Sequence, residues 1–530
     1  MKKKHISALN PAILLVNIFV SVIGAIVGLE LIARLGISTN TSIIGALFAI
    51  IISRLPLKFL KVFREFDGQN MVQTSMSGAT FAASNGIFLS ICVPFVLGRQ
   101  DLVLPMFFGA TMAVLCDITI LYKTFDSQMF PAMGTWAPGI ASAEAIKAVA
   151  DKGKNAVILV IGTVAGVVGK MFGIPMDILG VAWIGNIFAL AAFGVGLVIA
   201  EYAPNYLGYS LSDVYIPHGV MIGAGAVALI QMAIQLFKKG DKNTEKLENT
   251  NGYQCTCSNR NMRLSLGKGF AAYVIVALIV AVVSGFITEM SPVKFGLWVI
   301  FAAFSAIASE LLVGISAMHS GWFPAFATAF IFLIVGMLMG FPPTALAILA
   351  GYTSATGPAF ADMAYDLKAG FILRGEGADM EYELEGRKQQ YICEVVGVLV
   401  AVVVVFLTYN TYFNQDLLAP VSRVFVATID AGADMEIAKN LLIWAVPGAI
   451  IQAIGGSEKQ LGTLLATGLL IPSKFAGITV IAGVIIRMIV VKMKGEQGQK
   501  TLYILGAGSI TGAALYSFFT STTALINKKK

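Results

Sequence analysis

Apolar stretches long enough to cross a bilayer recur along almost the whole chain, separated by short polar segments. About 20 apolar residues in a helix span the roughly 30 Å hydrocarbon layer. Stretches of that order lie near residues 12–33, 41–60, 76–98, 102–122, 155–172, 178–201 and 217–237. A polar segment then runs from Lys238 to Lys268. Further stretches lie near 269–288, 295–317, 322–341, 342–361, 391–413, 438–455, 460–492 with a break at Pro472, and 501–521. The pattern predicts an all-α polytopic membrane protein, with roughly 14–16 transmembrane elements in two repeat halves. The halves are residues 1–237 and 269–530, with 238–268 as a cytoplasmic linker. The first stretch follows "MKKKHISALNP" with no small-residue cleavage site, so it is expected to be a retained helix.

Charge orients these elements. Lys2–Lys4, the set Arg54, Lys58, Lys61 and Arg64, the linker with seven basic against three acidic residues, and Lys528–Lys530 all favour the cytoplasm. Both termini are therefore expected there, in a multi-pass protein of the plasma membrane. An inside linker requires an even number of crossings before it, and the first half shows seven. A further crossing is expected within 123–155, where "FPAMGTWAPGIASAEAIKAVADKG" mixes Gly, Pro and small residues as broken helices lining a cavity do.

Composition fixes the class more firmly than any motif. Hydrophobic residues make up 57% of the chain and charged ones only 13%, against about 25% charged in soluble domains. The net charge of +7 is scattered over loops and ends, which gives no support to nucleic-acid binding. Five cysteines are too few and too scattered for a disulfide framework. The pair Cys255 and Cys257 has no nearby His to complete a tetrahedral metal site, so no metal and no cofactor is expected. No phosphate-binding loop, zinc-protease His pair or nucleophile elbow occurs in a fitting context.

The candidate chemistry is a set of polar residues at membrane depth. Asp362 and Asp366 stand one helical turn apart where an apolar stretch gives out, with Lys368 beyond them. Placing "GIASAEAI" (139–146) over "GPAFADMA" (357–364) aligns Gly139 with Gly357 and Glu144 with Asp362. Paired Gly/Pro-interrupted segments in two halves point toward a transporter's central site. Desolvation favours the neutral form of a carboxylate, as proton coupling requires. Asp362, Glu144 and Asp366 are thus the proton-coupling candidates, although Asp366 also reads as a solvated helix end and Glu144 as an ion-pair partner of Lys147. Asn70, Gln73 and Thr74 offer amides and a hydroxyl on one helix face, suited to substrate or to interhelical ties. Glu310 lies mid-stretch among apolar residues, with His319 nine residues on, and both join the substrate-binding candidates. Glu30, Asp117 and Glu201 with Tyr202 stand behind them.

The motif order resembles the oligopeptide transporter family. "DGQNMVQTSMSGATFAASNGIFLSICVPFVL" (67–97) is similar to its Asn-x-Val-Gln-Thr region, and "TWAPGIASAEAIKA" (135–148) to its Pro/Gly/Ala-Glu segment. "FADMAYDLKAGFILRGEGADMEYELEGRKQQYICEVVGVLVA" (360–401) resembles its Asp-x-x-x-Asp-Leu-Lys-x-Gly element followed by a basic-Gln-Gln pair, here with an acidic insertion in the loop. "LATGLLIPSKFAGITVIAGVIIR" (465–487) fits a late proline-containing segment. The resemblance implies a compact prokaryotic member, related to the metal-chelate-transporting yellow stripe-like branch. It further implies a secondary active, proton-coupled importer of short peptides or metal chelates, with the solute, protons and lipid as partners and a homodimer left open. A membrane-embedded enzyme acting on a lipid-linked substrate is the rival reading. The two-half echo and the lack of a clustered metal or nucleophile favour transport over catalysis.

Overall fold

Inside a bilayer there is no water to bond to the backbone, so an apolar stretch must satisfy its N–H and C=O groups within itself. The computed structural model describes residues 5–36, 56–134, 136–150, 154–247, 255–320, 325–432, 435–471 and 475–528, with isolated residues 45, 48, 49 and 52. Every regular element among them is helical. In the first half these are α1 (Pro11–Leu35), α2 (Phe66–Phe81), a π-helical segment (Ala82–Phe88), α3 (Leu89–Val96), α4 (Val103–Thr124), α5 (Ala137–Ala150), α6 (Lys154–Met171), α7 (Met176–Ile184), α8 (Ile187–Leu207) and α9 (Ile216–Leu247). The second half contains α10 (Asn259–Val283), α11 (Pro292–Ser320), α12 (Ala325–Leu338), α13 (Pro343–Ala355), α14 (Pro358–Leu373), α15 (Met380–Phe413), α16 (Pro420–Ala431), α17 (Met435–Lys459), α18 (Leu461–Leu469) and α19 (Ala476–Lys528). Short 3-10 turns join some of them. Among the described residues nine helices are long and apolar enough to cross a membrane. The protein is an all-α polytopic membrane protein.

Several apolar stretches are divided. The 342–361 stretch is two helices, α13 and α14, separated at Thr356 and Gly357. Gly357 has φ +103° and Pro358 opens the next helix, so the chain turns where only glycine is unstrained and restarts where proline is pre-set. The 178–201 stretch likewise parts at Gly185 and Asn186 into α7 and α8, with Asn186 capping the second. The Pro472 break lies outside the described residues, between α18 and α19. The polar segment 238–268 is helical toward both its ends, since α9 continues to Leu247 and α10 begins at Asn259.

The helices form two hydrophobic cores, and neither follows the halves of the sequence. One joins the inner parts of α1 to α4 with α10 to α16. The other joins α6 to α9 with α18 and α19, and is bridged by α1 and α2. In the second, α6 and α7 pack on α19, α8 on α18, and α9 on α17. Glycines let these backbones approach closely, as where Gly180 meets the Gly506 carbonyl and Gly219 meets Leu441 and Trp444.

Two ends of the molecule can be told apart. At one, His5 lies beside Asp67, the Ala8 N–H donates to Gln389 Oε1, and Thr256 bonds Asp126. The N-terminus and the distal part of the linker therefore share this end. At the other end a cavity is lined by Arg34 and Leu35 from the close of α1, Val96, Lys170, Tyr215 and Leu418. The last limb of α19 runs parallel to α6, with Leu505 against Gly162 and Ser509 against Gly166. Since α6 ends at the cavity, this limb heads there too. The expectation that both termini share one side is corrected: α19 reverses at Gly495, where φ is +56°, and sends the C-terminal limb away from the N-terminus.

Candidate functional site

The break before α14 is held by a side chain from another helix. Asp117 on α4 accepts from the N–H groups of Gly357, at 2.8 and 3.0 Å, and Phe360, at 2.9 Å. A carboxylate there satisfies orphan donors and meets the positive end of the helix dipole. Beside it the Tyr273 hydroxyl donates to Glu310 Oε2 at 2.8 Å and lies 3.5 Å from Asp117. One O–H cannot serve both, so Glu310 is its acceptor. Glu310 is fully buried, and its Oε1 has no hydrogen-bond partner among the described residues.

One turn into α14 lies a denser cluster. Oxygens of Asp362, Asp366 and Glu394 come within 4.8 Å of one another, and all three residues are fully buried. α2 supplies the wall. Ser77 donates to Asp362 Oδ1 at 2.6 Å, and Gln73 donates to Asp366 Oδ1. Behind Gln73 stands a directed chain: Arg374 reaches Asn70 Oδ1, and Asn70 donates to Gln73 Oε1 at 2.7 Å. Gln390, one turn before Glu394 on α15, donates to Thr74 and to the Asp366 carbonyl and accepts from Arg374. Glu394 receives nothing: neither carboxylate oxygen has a hydrogen-bond partner among the described residues. A Cβ on Gly78 would overlap that carboxylate, so glycine makes its seat.

Beyond the cluster, toward the N-terminal end, stands a network of buried ion pairs. Arg374 grips Glu383 through two nitrogens, at 2.7 and 3.1 Å. Arg387 bonds Glu383 at 2.7 Å, Thr256 at 2.8 Å and Asp126 at 3.2 Å.

The expected residues fall as follows. Asp362 and Asp366 meet in one cluster, and the reading of Asp366 as a solvated helix end is corrected, because α15 and α2 cover it. Lys368 turns away from both, donating to the Ala132 carbonyl at 2.8 Å. Asn70, Gln73 and Thr74 lie in this cluster, bonded to neighbouring helices, and do not line the open cavity. Glu310 belongs to the Asp117 group. The side chains of Glu144 and His319 lie outside the described residues. The backbone of α5 does pack against α14, with Gly139 against Tyr365 and Lys368, so the two echoing segments are neighbours. Glu394, Ser77, Gln390 and Asp117 as a helix cap were missed. The rule that singled out Glu310, a lone carboxylate in an apolar helix, applies equally to Glu394.

A helix broken at membrane depth, with carboxylates on its inner limb, is a fitting arrangement for solute and ion passage. Comparison with known families decides the matter: the family model described as OPT oligopeptide transporter protein matches residues 118–524, most of the chain. The chain belongs to the OPT oligopeptide transporter family. No curated protein matches it. As a member of the OPT family it is a multi-pass membrane transporter of oligopeptides or related solutes, and not an enzyme. The broken helix α13–α14 and the start of its inner limb lie within the span matched to the OPT family.

Proposed function

We propose that the protein is a proton-coupled importer of short peptides or peptide-like metal chelates, with the proton carried by the Asp362, Asp366 and Glu394 cluster. The observation that carries the reading is Glu394: fully buried, beside two other carboxylates, and with no donor to either oxygen. Two like charges within 4.8 Å of each other repel by at least about 3 kcal/mol at an effective dielectric of 20. Three such carboxylates share protons rather than carry three charges. The donor chain from Arg374 through Asn70 and Gln73 ends on Asp366 and suits its ionised form, whereas Glu394 suits the neutral one. Environments that separate neighbouring acids assign their roles.

Direction follows from charge. The N-terminus and linker are basic and share one end, and the positive-inside rule supports reading that end as the cytoplasmic one. The cavity opens at the opposite end, and the Arg374, Glu383 and Arg387 pairs close the cytoplasmic one. That is an outward-facing arrangement, as an importer adopts before closure.

Purified protein in liposomes tests this. An imposed inward proton gradient should drive accumulation of labelled peptide or chelate. Glu394→Gln should abolish that accumulation and retain counterflow exchange, which needs no net proton movement. Accumulation by Glu394→Gln equal to the parent's removes Glu394 from coupling. Accumulation driven by a sodium gradient alone makes the same oxygens a cation site and overturns the proton reading.

A further inference from the structure

The open cavity is a feature that the coupling cluster does not explain. It encloses about 870 Å³, within the range of ligand sites, which run from about 300 to 1,000 Å³. Its walls come from both hydrophobic cores: the ends of α1 and α3 and the face of α16 on one side, α6, α7 and the start of α9 on the other.

The charge on those walls is mixed. Lys170 pairs with Asp177 at 2.8 Å, Arg34 pairs with Glu30, and Arg423 holds Asp416 at 2.9 and 3.0 Å. Arg423 does so through Nη2 alone, so its Nε and Nη1 edge has no hydrogen-bond partner among the described residues. Asp430 has neither a hydrogen-bond nor an ion-pair partner there. His218, buried at the cavity wall, leaves Nδ1 without a partner as well.

Arg423 and Asp430 are seven residues apart on α16, two turns along one face. Between them the same face presents Val426 and Ala427 to the cavity. The rise between the two charged residues is about 10 Å at 1.5 Å per residue. An extended peptide covers about 3.3–3.6 Å per residue, so three residues match that distance, two fall short and five overshoot.

We infer that this cavity is a peptide-reading site, in which Arg423 takes the terminal carboxylate and Asp430 the terminal ammonium of a tripeptide lying along α16. Arg423 presents a guanidinium edge of the kind that pairs with carboxylates, and Asp430 is an acceptor for an ammonium. The small apolar surface of Val426 and Ala427 lies beneath the middle residue. The inference rests on the reading that the solute is a peptide, and it does not depend on which residue carries the proton.

The test is equilibrium binding to the full-length protein in nanodiscs at fixed pH, with no gradient. Trialanine should bind, and N-acetyl-trialanine, trialanine amide, dialanine and pentaalanine should each bind at least about tenfold more weakly, as loss of one charge-assisted contact implies. Asp430→Asn should erase the penalty for acetylation while keeping that for amidation, and Arg423→Gln should do the reverse. Because each variant is compared with itself across ligands, a general loss of folding cannot imitate the pattern. Equal binding of free and blocked trialanine overturns the site while leaving peptide transport standing. Binding of an iron–chelator complex with no binding of any peptide overturns the site together with the peptide reading of the solute.

Discussion

At the scale of single residues, the site depends on groups whose chemistry the sequence displays and whose partners it hides. Asp362 and Asp366 could be found as carboxylates at the edge of an apolar stretch. Their third member, Glu394, stands about thirty residues on, in a helix that looks like an ordinary span, and only packing brings it back. Asp117 makes the same point: nothing near it in sequence shows that it caps a helix some 240 residues away. Asp117→Ala should orphan the Gly357 and Phe360 N–H groups at about 1–3 kcal/mol each and lower the unfolding midpoint in detergent. Asp117→Asn keeps an acceptor and should cost less, so equal melting of the alanine variant and the parent would show that the cap holds nothing. His5 gives a pH signature. Burial lowers its pKa below the ordinary 6.5, opposed by the neighbouring Asp67 carboxylate. As pH falls through 6.5 the unfolded chain takes up a proton that the folded chain resists, so stability is lost on acidification. His5→Gln should flatten the melting curve against pH between about 7 and 5, and an unchanged slope would assign the acid sensitivity elsewhere.

At the scale of elements, long uniform stretches were legible and interrupted or polar ones were not. α1 and α4 lie within two residues of the stretches that predict them, because an uninterrupted apolar stretch of spanning length specifies a helix even where, as here, most of it is buried against other helices. α15 begins at Met380, eleven residues before its apolar stretch, through "MEYELEGRKQQ". That segment reads as a loop, yet Glu383, Arg387 and Gln390 are buried, because ion pairs and amide bonds do what apolar contact does elsewhere. Hydropathy has no means of registering such pairs. This clamp also ties down the linker, since Arg387 bonds Thr256 and the Cys257 N–H donates to the Asp126 carbonyl. Arg387→Ala deprives Glu383 and Asp126 of a shared cation, a loss on the order of 3–5 kcal/mol for a buried pair. The expected readout is a lower melting temperature together with faster alkylation of Cys257. Unaltered alkylation would mean that the linker is held by other contacts.

At the scale of the whole molecule, a single-cysteine residue in place of Ser7 and another in place of Ser212 should label from opposite faces of intact cells. A C-terminal tag should be accessible from the Ser212 face, and access only from the Ser7 face would reverse the direction assigned to α19. The succession of apolar helices was legible, whereas the packing of early helices on late ones was not, because hydropathy carries no information about which helix faces which. That interleaving reaches into biosynthesis. A ribosome delivers α6 to α9 to the membrane long before α17 to α19 exist, and until then Gly162, Gly180 and Gly219 face lipid or insertion factors in place of their partners. The early half is therefore an unfinished object, prone to capture by quality-control proteases, and its lifetime is set by translation of the rest. Cutting the gene within 248–254 should give a first fragment that is degraded when made alone and rescued when the second is co-expressed, measured by pulse-chase. A first fragment that is stable by itself would show that its glycine faces do not await their partners.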